Sequence, residues 1–180
     1  HNTNNDWWAW EQAGRVKERS GAACDHYRRF NEDFDLAAQL GHRAHRCSIE
    51  WSRLEPAPGQ WDDAALAHYV EVVRALRRRH LDPIVTLHHF TSPQWLTAGG
   101  GWTQPQAVDA FARYVQRVAE AFHGLVRYWV TINEPMVFVR MHYVQGIGPP
   151  GIRDLPQALR VIQHVLRAHA AAYRILHAAR

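Results

Sequence analysis

The most reactive arrangement in the sequence is a carboxyl group between an amide and a proline: Asn133, Glu134 and Pro135 directly follow an apolar, β-rich run. Proline cannot continue a β ladder, so the chain must leave a sheet here, and the carboxyl group would lie at the edge of that sheet. A carboxyl group there can give and take a proton, while the amide can hold a sugar hydroxyl beside the reacting oxygen. The structural alternative is that Glu134 caps the following helix or pairs with an arginine.

Basic side chains occupy two earlier β-rich runs. The run VTLHH ends in His88 and His89. Because side chains alternate along a strand, at most one of them points into the interior of a barrel, and the other meets the helices. Arg46 lies inside the run that leads to CSIEWSR. A buried guanidinium needs an anionic partner, so we expect Glu50, Glu55 or a carboxylate from an absent strand to face it.

A metal site is the alternative use of the histidines, with His42 and His45 added as ligands. This i, i+3 pair spans a predicted junction between a helix and a strand, and no HExxH spacing occurs in the sequence. The sequence therefore gives little support to a metal site.

Strands and helices that would position these residues can be read from the hydrophobic pattern. Three β-rich runs, whose starts lie about 40 residues apart, cover residues 44–49, 84–88 and 125–132. Helical periodicity predicts helices over residues 31–40, 62–79, 103–123 and 155–178.

The last predicted helix has both a start signal and an apolar face. Asp154, with Gln157 three residues later, has the spacing of an N-cap. The face is predicted to consist of five large side chains: Leu159, Ile162, Leu166, Tyr173 and Leu176.

The element order is one helix followed by three strand–helix pairs, which is typical of parallel strands joined by right-handed crossovers. An α/β fold follows, either a doubly wound open sheet or a (β/α)8 TIM barrel. No GxGxxG or GxxxxGK[ST] string, which would favour the open sheet, occurs here. A barrel needs about 250 residues, so three strands in 180 residues predict an incomplete barrel.

Composition limits the class of protein further. The 180 residues are 47% hydrophobic and 11% aromatic, which indicates a globular domain. The net charge of +4 is small and its densest cationic run, residues 77–79, suits a helix end, so we expect no nucleic-acid partner. The sequence has no apolar stretch long enough for a membrane span. Cys24 and Cys47 lack CxxC spacing, and a reducing, cytoplasmic setting is expected.

Six strings in a fixed order resemble glycoside hydrolase family 1 over nearly the whole chain: NDWWAWE, SGAACDHYRRFNEDFDLAAQLG, HRCSIEWSRLEP, VTLHHFTSPQWL, GGW and WVTINEP, the last of which contains the NEP triplet. The resemblance implies a cofactor-free, retaining β-glycosidase of the β-glucosidase or β-galactosidase type on a (β/α)8 barrel. It also implies that Glu134 is the general acid/base, that Asn133 binds the sugar 2-hydroxyl, that His89 binds the glycone and that Arg46 contacts the nucleophile carboxylate.

Three departures from the family pattern qualify this resemblance. Phe90 stands where the family usually has Trp, so an indole hydrogen bond to the sugar would be lost. The [IV]TENG string that carries the family nucleophile is absent, as is the opening strand with its sugar-binding glutamine. A retaining mechanism uses two carboxyl groups about 5 to 5.5 Å apart.

These departures, and a start without Met, predict that residues 1–180 are the N-terminal part of a single barrel domain, roughly strands 2–4 with their helices. We expect such a chain to be inactive alone and to need a second chain or the C-terminal half of the barrel. The alternatives are a non-catalytic carbohydrate-binding or half-barrel module, and another barrel glycosidase family that has NEP.

Overall fold

The structure, a computed structural model that describes residues 2–179, contains one parallel sheet of three strands. The strands are β1 (Ala44–Ser48), β2 (Asp82–His88) and β3 (Tyr128–Ile132), in the spatial order β1-β2-β3. The predicted parallel α/β arrangement is therefore confirmed. The second strand begins two residues earlier than predicted and the third begins three residues later.

Eight α-helices lie within the described residues: α1 (Asp6–Gln12), α2 (His26–Gln39), α3 (Trp51–Leu54), α4 (Asp63–Arg78), α5 (Gln94–Ala98), α6 (Gln106–Ala121), α7 (Pro135–Val139) and α8 (Leu155–Ala178). A 3-10 turn (Gly101–Thr103) and a π-helical turn (Arg140–Val144) complete the elements. The four predicted helices correspond to α2, α4, α6 and α8. The others are too short, at four to seven residues, to give a clear helical period.

The predicted start of α2 at residue 31 is wrong by five residues, because the helix begins at His26. Phe30, Phe34 and Ala37 share its buried face at i, i+4 and i+7, so the apolar stripe starts before residue 31. These side chains pack against Val72 and Leu76 of α4 in a small core of their own.

The predicted N-cap of α8 is confirmed, whereas its predicted face is wrong for three of the five side chains; the other two, Ile162 and Leu176, pack on the core. The Asp154 carboxylate accepts the backbone N–H of Gln157 at 2.8 Å. Leu159, Leu166 and Tyr173 are 55%, 56% and 52% exposed. The face that is buried consists largely of small side chains: Ala158, Val161, Val165, Ala168, Ala172 and Leu176. Small side chains allow α8 to approach α6, its main packing partner, closely.

The main core fills the space between the sheet and the helices α3, α4, α6 and α8. Trp51 stacks on Tyr114 with ring centroids 5.2 Å apart, and Trp102 packs edge-on against Phe111. Burial of such large aromatic side chains contributes strongly to stability because the hydrophobic effect scales with the apolar area removed from water. This core fixes the position of the carboxyl ends of the strands relative to the helices.

Helices cover one face of the sheet and leave the other open. On β1, Cys47 and His45 point toward the helices, and His45 packs against Phe34 of α2. Arg46 and Ser48 alternate with them and are exposed on the opposite face, which we call the open face. Within residues 2–179, β1 and β3 pair only with β2, so each keeps one unpaired edge.

No helix within residues 2–179 is both long and apolar enough to cross a membrane. In the same part of the chain, no three His, Cys, Asp or Glu side chains lie close enough together to hold a metal ion.

Candidate active site

The carboxyl ends of β2 and β3 bring the predicted site residues together. His88 is the register partner of Ile132, and the ladder extends by one bond from the Asn133 N–H to the His88 carbonyl oxygen, 2.9 Å long. At Glu134 the backbone enters the left-handed region (φ 39°), and Pro135 starts α7. The chain therefore leaves the sheet at Glu134, as its sequence predicts.

The side chain of Glu134 has neither of the structural roles that were its alternatives. Although Glu134 occupies the N-cap position of α7, its side chain makes no capping hydrogen bond. None of the ion pairs within residues 2–179 involves it. The carboxylate is exposed and close enough to His89 to act on the imidazole, because its negative charge favours the protonated ring and works to raise the His89 pKa.

Arg46 links all three strands on the open face. Its Nε donates to Thr86 Oγ1 at 2.9 Å, and its NH2 group donates to Asn133 Oδ1 at 2.5 Å. Because the amide oxygen of Asn133 accepts from Arg46, the side-chain NH2 group of Asn133 is left to donate to a ligand. The guanidinium has five N–H donors, so these two bonds do not exhaust it.

The expectation that Glu50 or Glu55 pairs with Arg46 is wrong. The Glu50 carboxylate accepts from the Ser52 hydroxyl at 2.7 Å and from the Thr91 hydroxyl at 2.8 Å. The Glu55 carboxylate is fully buried and accepts from Trp51 Nε1 at 2.7 Å. Both carboxylates hold turns that follow β1 and β2, and Arg46 is exposed, so it does not need an anion within this chain.

Only one of the two adjacent histidines reaches the open face, as strand alternation predicts. His88 is 2% exposed, lies edge-on to Trp102 and Phe138, and has a pKa lowered to about 3, chiefly by burial. His89 is exposed, with Nδ1 3.1 Å from Ser48 Oγ. Partial burial, followed by the charge of Arg46, lowers the His89 pKa, so this ring is neutral at pH 7.

Phe90 occupies a strained turn directly after His89. Its φ is 70°, in the left-handed region, and its carbonyl oxygen accepts from Trp7 Nε1 at 3.1 Å. Its ring packs parallel to that of Phe138, with centroids 6.1 Å apart. The N-terminal segment thus fixes the turn that carries His89, a role for Trp7 that the sequence analysis missed.

Two hydroxyl groups of the site were also missed, Ser48 and Thr86. They are register partners on β1 and β2, and each contacts a predicted site residue, His89 and Arg46 respectively. The signal that could have found them is the two-residue alternation, since Ser48 lies two positions after Arg46 on the same face.

A cavity of about 730 Å³ runs along β1 and is lined in part by Arg46, Ser48, Glu50 and His89. Cavities of this size suit small-molecule ligands. Glu134 does not line this cavity, whereas His89, on whose ring its charge acts, does.

The described residues thus form a parallel α/β sheet that gathers a carboxylate, an amide, an imidazole and a guanidinium at the carboxyl ends of its strands, the end at which (β/α)8 barrels carry their sites. The chain belongs to glycosyl hydrolase family 1, whose family model matches residues 4–180. The resemblance drawn from the sequence strings is thereby confirmed.

Relatives and solved structures agree with this membership. Beta-glucosidase A of Thermotoga maritima is 36% identical over 165 residues, which cover 90% of this chain and 37% of the relative. The beta-galactosidase of Pyrococcus woesei is 30% identical over 224 residues, covering 96% of this chain and 44% of the relative. The chain therefore spans about two fifths of the length of these relatives.

The structure superposes closely on solved enzymes of the family. The beta-glycosidase from Pyrococcus horikoshii has a TM-score of 0.94 and 42% identity, over 99% of this chain and 42% of that one. The beta-glucosidase from Thermotoga maritima in complex with glucoimidazole has a TM-score of 0.94 and 33% identity, over 98% of this chain and 41% of that one. These enzymes are (β/α)8 barrels, and the parallel sheet with its helices is consistent with part of such a barrel.

Proposed function

We propose that the protein is part of a retaining β-glycosidase of the β-glucosidase type, with Glu134 as general acid/base and no cofactor. The observation that carries this proposal is the state of the Glu134 side chain, which is exposed at the carboxyl end of β3 and free of capping and ion-pair partners. Glu134 would protonate the glycosidic oxygen and later take a proton from the water that releases the sugar.

The neighbouring residues have binding roles in this proposal. The Asn133 amide, whose oxygen is engaged by Arg46, would donate from its NH2 group to the sugar 2-hydroxyl. The neutral ring of His89 would bind another hydroxyl of the same sugar. The remaining N–H donors of Arg46 would contact the nucleophile carboxylate, which would come from outside these residues.

In this proposal residues 1–180 are the N-terminal part of a single barrel domain, with β1, β2 and β3 as roughly its strands 2–4. A second chain or the C-terminal half of the barrel would supply the nucleophile, and the described chain alone would be inactive. The unpaired edges of β1 and β3, and the two fifths of family length that the chain spans, support this organisation. Cys24 and Cys47 are free thiols, and the cytoplasmic setting stays a prediction.

The test of Glu134 is its replacement by an isosteric amide in the protein with its complete barrel. We expect Glu134→Gln to lower kcat for an aryl β-glucoside by about 10² to 10⁴-fold, because proton transfer to the leaving oxygen is lost. The rate of glycosidic bond cleavage should fall less when the leaving group is a strongly acidic phenol, since such a group needs little protonation. Unchanged hydrolysis of both substrates would refute the assignment.

The matched control is Glu18→Gln, which removes the same charge from an exposed position outside the site. It should keep the activity of the parent protein. A loss of activity in both variants would attribute the effect to charge or folding and would count against a special role for Glu134.

A non-catalytic carbohydrate-binding module is the second candidate. It is favoured by one observation: Glu50, a carboxylate that lines the cavity near His89, is already bound to Ser52 and Thr91 and is not free to act as a nucleophile. Calorimetry with glucose, cellobiose and lactose, in the chain alone, would reveal such binding without hydrolysis. The alternative of another barrel family that has NEP is wrong, because the chain belongs to family 1.

A further inference from the structure

The hydroxyl of Ser48 contacts the imidazole of His89 on the open face. The Ser48 Oγ and His89 Nδ1 atoms are 3.1 Å apart, and they belong to the neighbouring strand ends of β1 and β2. We propose that Ser48 is a positioning residue: its hydroxyl donates to Nδ1, fixes the ring of His89 and keeps the proton of the neutral ring on Nε2. This inference rests on the proposed function in so far as His89 binds a sugar.

The direction of this hydrogen bond follows from the acceptor strengths of the two groups. A neutral imidazole has one unprotonated nitrogen, which is a stronger acceptor than a hydroxyl oxygen, and the bond at one nitrogen sets which nitrogen carries the proton. With Nδ1 occupied by Ser48, the N–H at Nε2 is directed away from β1 and can donate to a sugar hydroxyl.

The backbone around His89 makes such a side-chain restraint useful. His89 lies one residue beyond the last residue of β2, and Phe90 turns the chain with a left-handed φ of 70°. The ring contacts Phe90 edge-on, with centroids 5.6 Å apart, but Phe90 offers no hydrogen bond. The hydroxyl of Ser48 is therefore the polar group that defines the rotation of the His89 ring.

An equivalent pair outside the site provides a matched control. Thr131 Oγ1 lies 2.7 Å from His169 Nδ1, between β3 and α8 on the helical side of the sheet. Removing this hydroxyl changes the same kind of contact without touching the open face.

The experiment measures the ring nitrogens directly by NMR of protein labelled with ¹⁵N-histidine at pH 7.5, with the His89 signals assigned from His89→Gln. The unmodified protein should show His89 as the Nε2–H tautomer. In Ser48→Ala the signals of His89 should be an average of its two tautomers, and in Ser48→Thr the Nε2–H tautomer should be restored. Thr131→Val should change the signals of His169 only. An unmodified His89 that is already averaged, or a Ser48→Ala spectrum that matches the unmodified one, would overturn the proposal.

Titration with deoxynojirimycin separates this inference from the proposed function. In the protein with its complete barrel, we expect Ser48→Ala to weaken binding about fivefold, the loss of one hydrogen bond, and Thr131→Val to leave it unchanged. If His89 shows the Nε2–H tautomer but its signals do not move on titration, the sugar-binding role fails while the Ser48–His89 bond stands. Equal affinity in Ser48→Ala and the unmodified protein would refute positioning for binding.

Discussion

Behind the exposed site residues lies a buried polar junction centred on Ser92. Its backbone N–H donates to the Asp6 carboxylate at 3.0 Å, and its carbonyl oxygen accepts from the Asp6 N–H at 2.9 Å. Its hydroxyl lies 3.3 Å from His88 Nε2 and accepts from Trp102 Nε1 at 3.2 Å. These bonds tie the N-terminal segment to the loop after β2, which also carries His89.

The pH dependence of stability should reveal this junction. Burial raises the Asp6 pKa to about 8 from 3.8, so the folded state keeps a proton that the unfolded state loses, and stability falls as pH rises between these values. His88, with its pKa lowered to about 3 from 6.5, acts in the opposite direction, and its effect is complete above pH 6.5. Between pH 6.5 and 8 only the Asp6 effect of the two remains.

We therefore expect Asp6→Asn to flatten the decline in the free energy of unfolding between pH 6.5 and 8, measured by urea denaturation. The amide oxygen can still accept from the Ser92 N–H, so the geometry should persist. Asp109→Asn, at an exposed position, is the control and should follow the unmodified protein. Parallel pH profiles for Asp6→Asn and the unmodified protein would contradict a protonated Asp6.

Predictions from sequence at the residue scale succeeded where a strand end determined the geometry. Asn133 and Glu134 could be placed because proline forces the chain out of the sheet. Alternation along β1 could have placed Ser48 on the same face as Arg46, but the contacts of Ser48 and Thr86 depend on the register between strands, which the sequence does not reveal. Glu50 and Glu55 were the partners considered for Arg46 within this chain, yet each carboxylate holds a loop instead.

At the scale of elements, α8 illustrates how a helix face can be misjudged. Large apolar side chains dominate the hydrophobic pattern, so Leu159 and Leu166 were expected to face the core, and both are more than half exposed. Close approach to α6 favours alanine instead, and Ala168 and Ala172 are fully buried. Hydrophobic size alone does not reveal how near two helices lie, whereas the cap at Asp154 depends only on local spacing and was predicted correctly.

This packing predicts that Ala168→Leu destabilises the protein. The larger side chain would enter a fully buried position between helices, at a cost of about 1 to 3 kcal/mol in the free energy of unfolding. Ala170→Leu, on the opposite, half-buried side of α8, should cost much less. Urea denaturation of both variants measures the difference, and equal stability of the two would place the core face of α8 elsewhere.

At the scale of the whole molecule, unsatisfied surfaces border the sheet at both ends. The edges of β1 and β3 that do not face β2 are unpaired within residues 2–179. An apolar stripe on α8, next to β3, exposes four side chains: Leu155, Leu159, Leu166 and Tyr173. Natural proteins cover such edges and patches, since uncovered ones associate with other chains.

We expect the protein on its own to self-associate in part through the stripe on α8. Leu166→Glu places a charge in the stripe, where burial against another chain would desolvate it, so sedimentation velocity should show a shift toward monomer. Arg167→Ala changes the net charge by the same amount on the polar side of α8 and should leave the distribution unchanged. Because Leu166 is 56% exposed, Leu166→Glu should keep the thermal stability of the fold. A monomeric unmodified protein at all concentrations would contradict the expectation and would show that the fold tolerates its open edges.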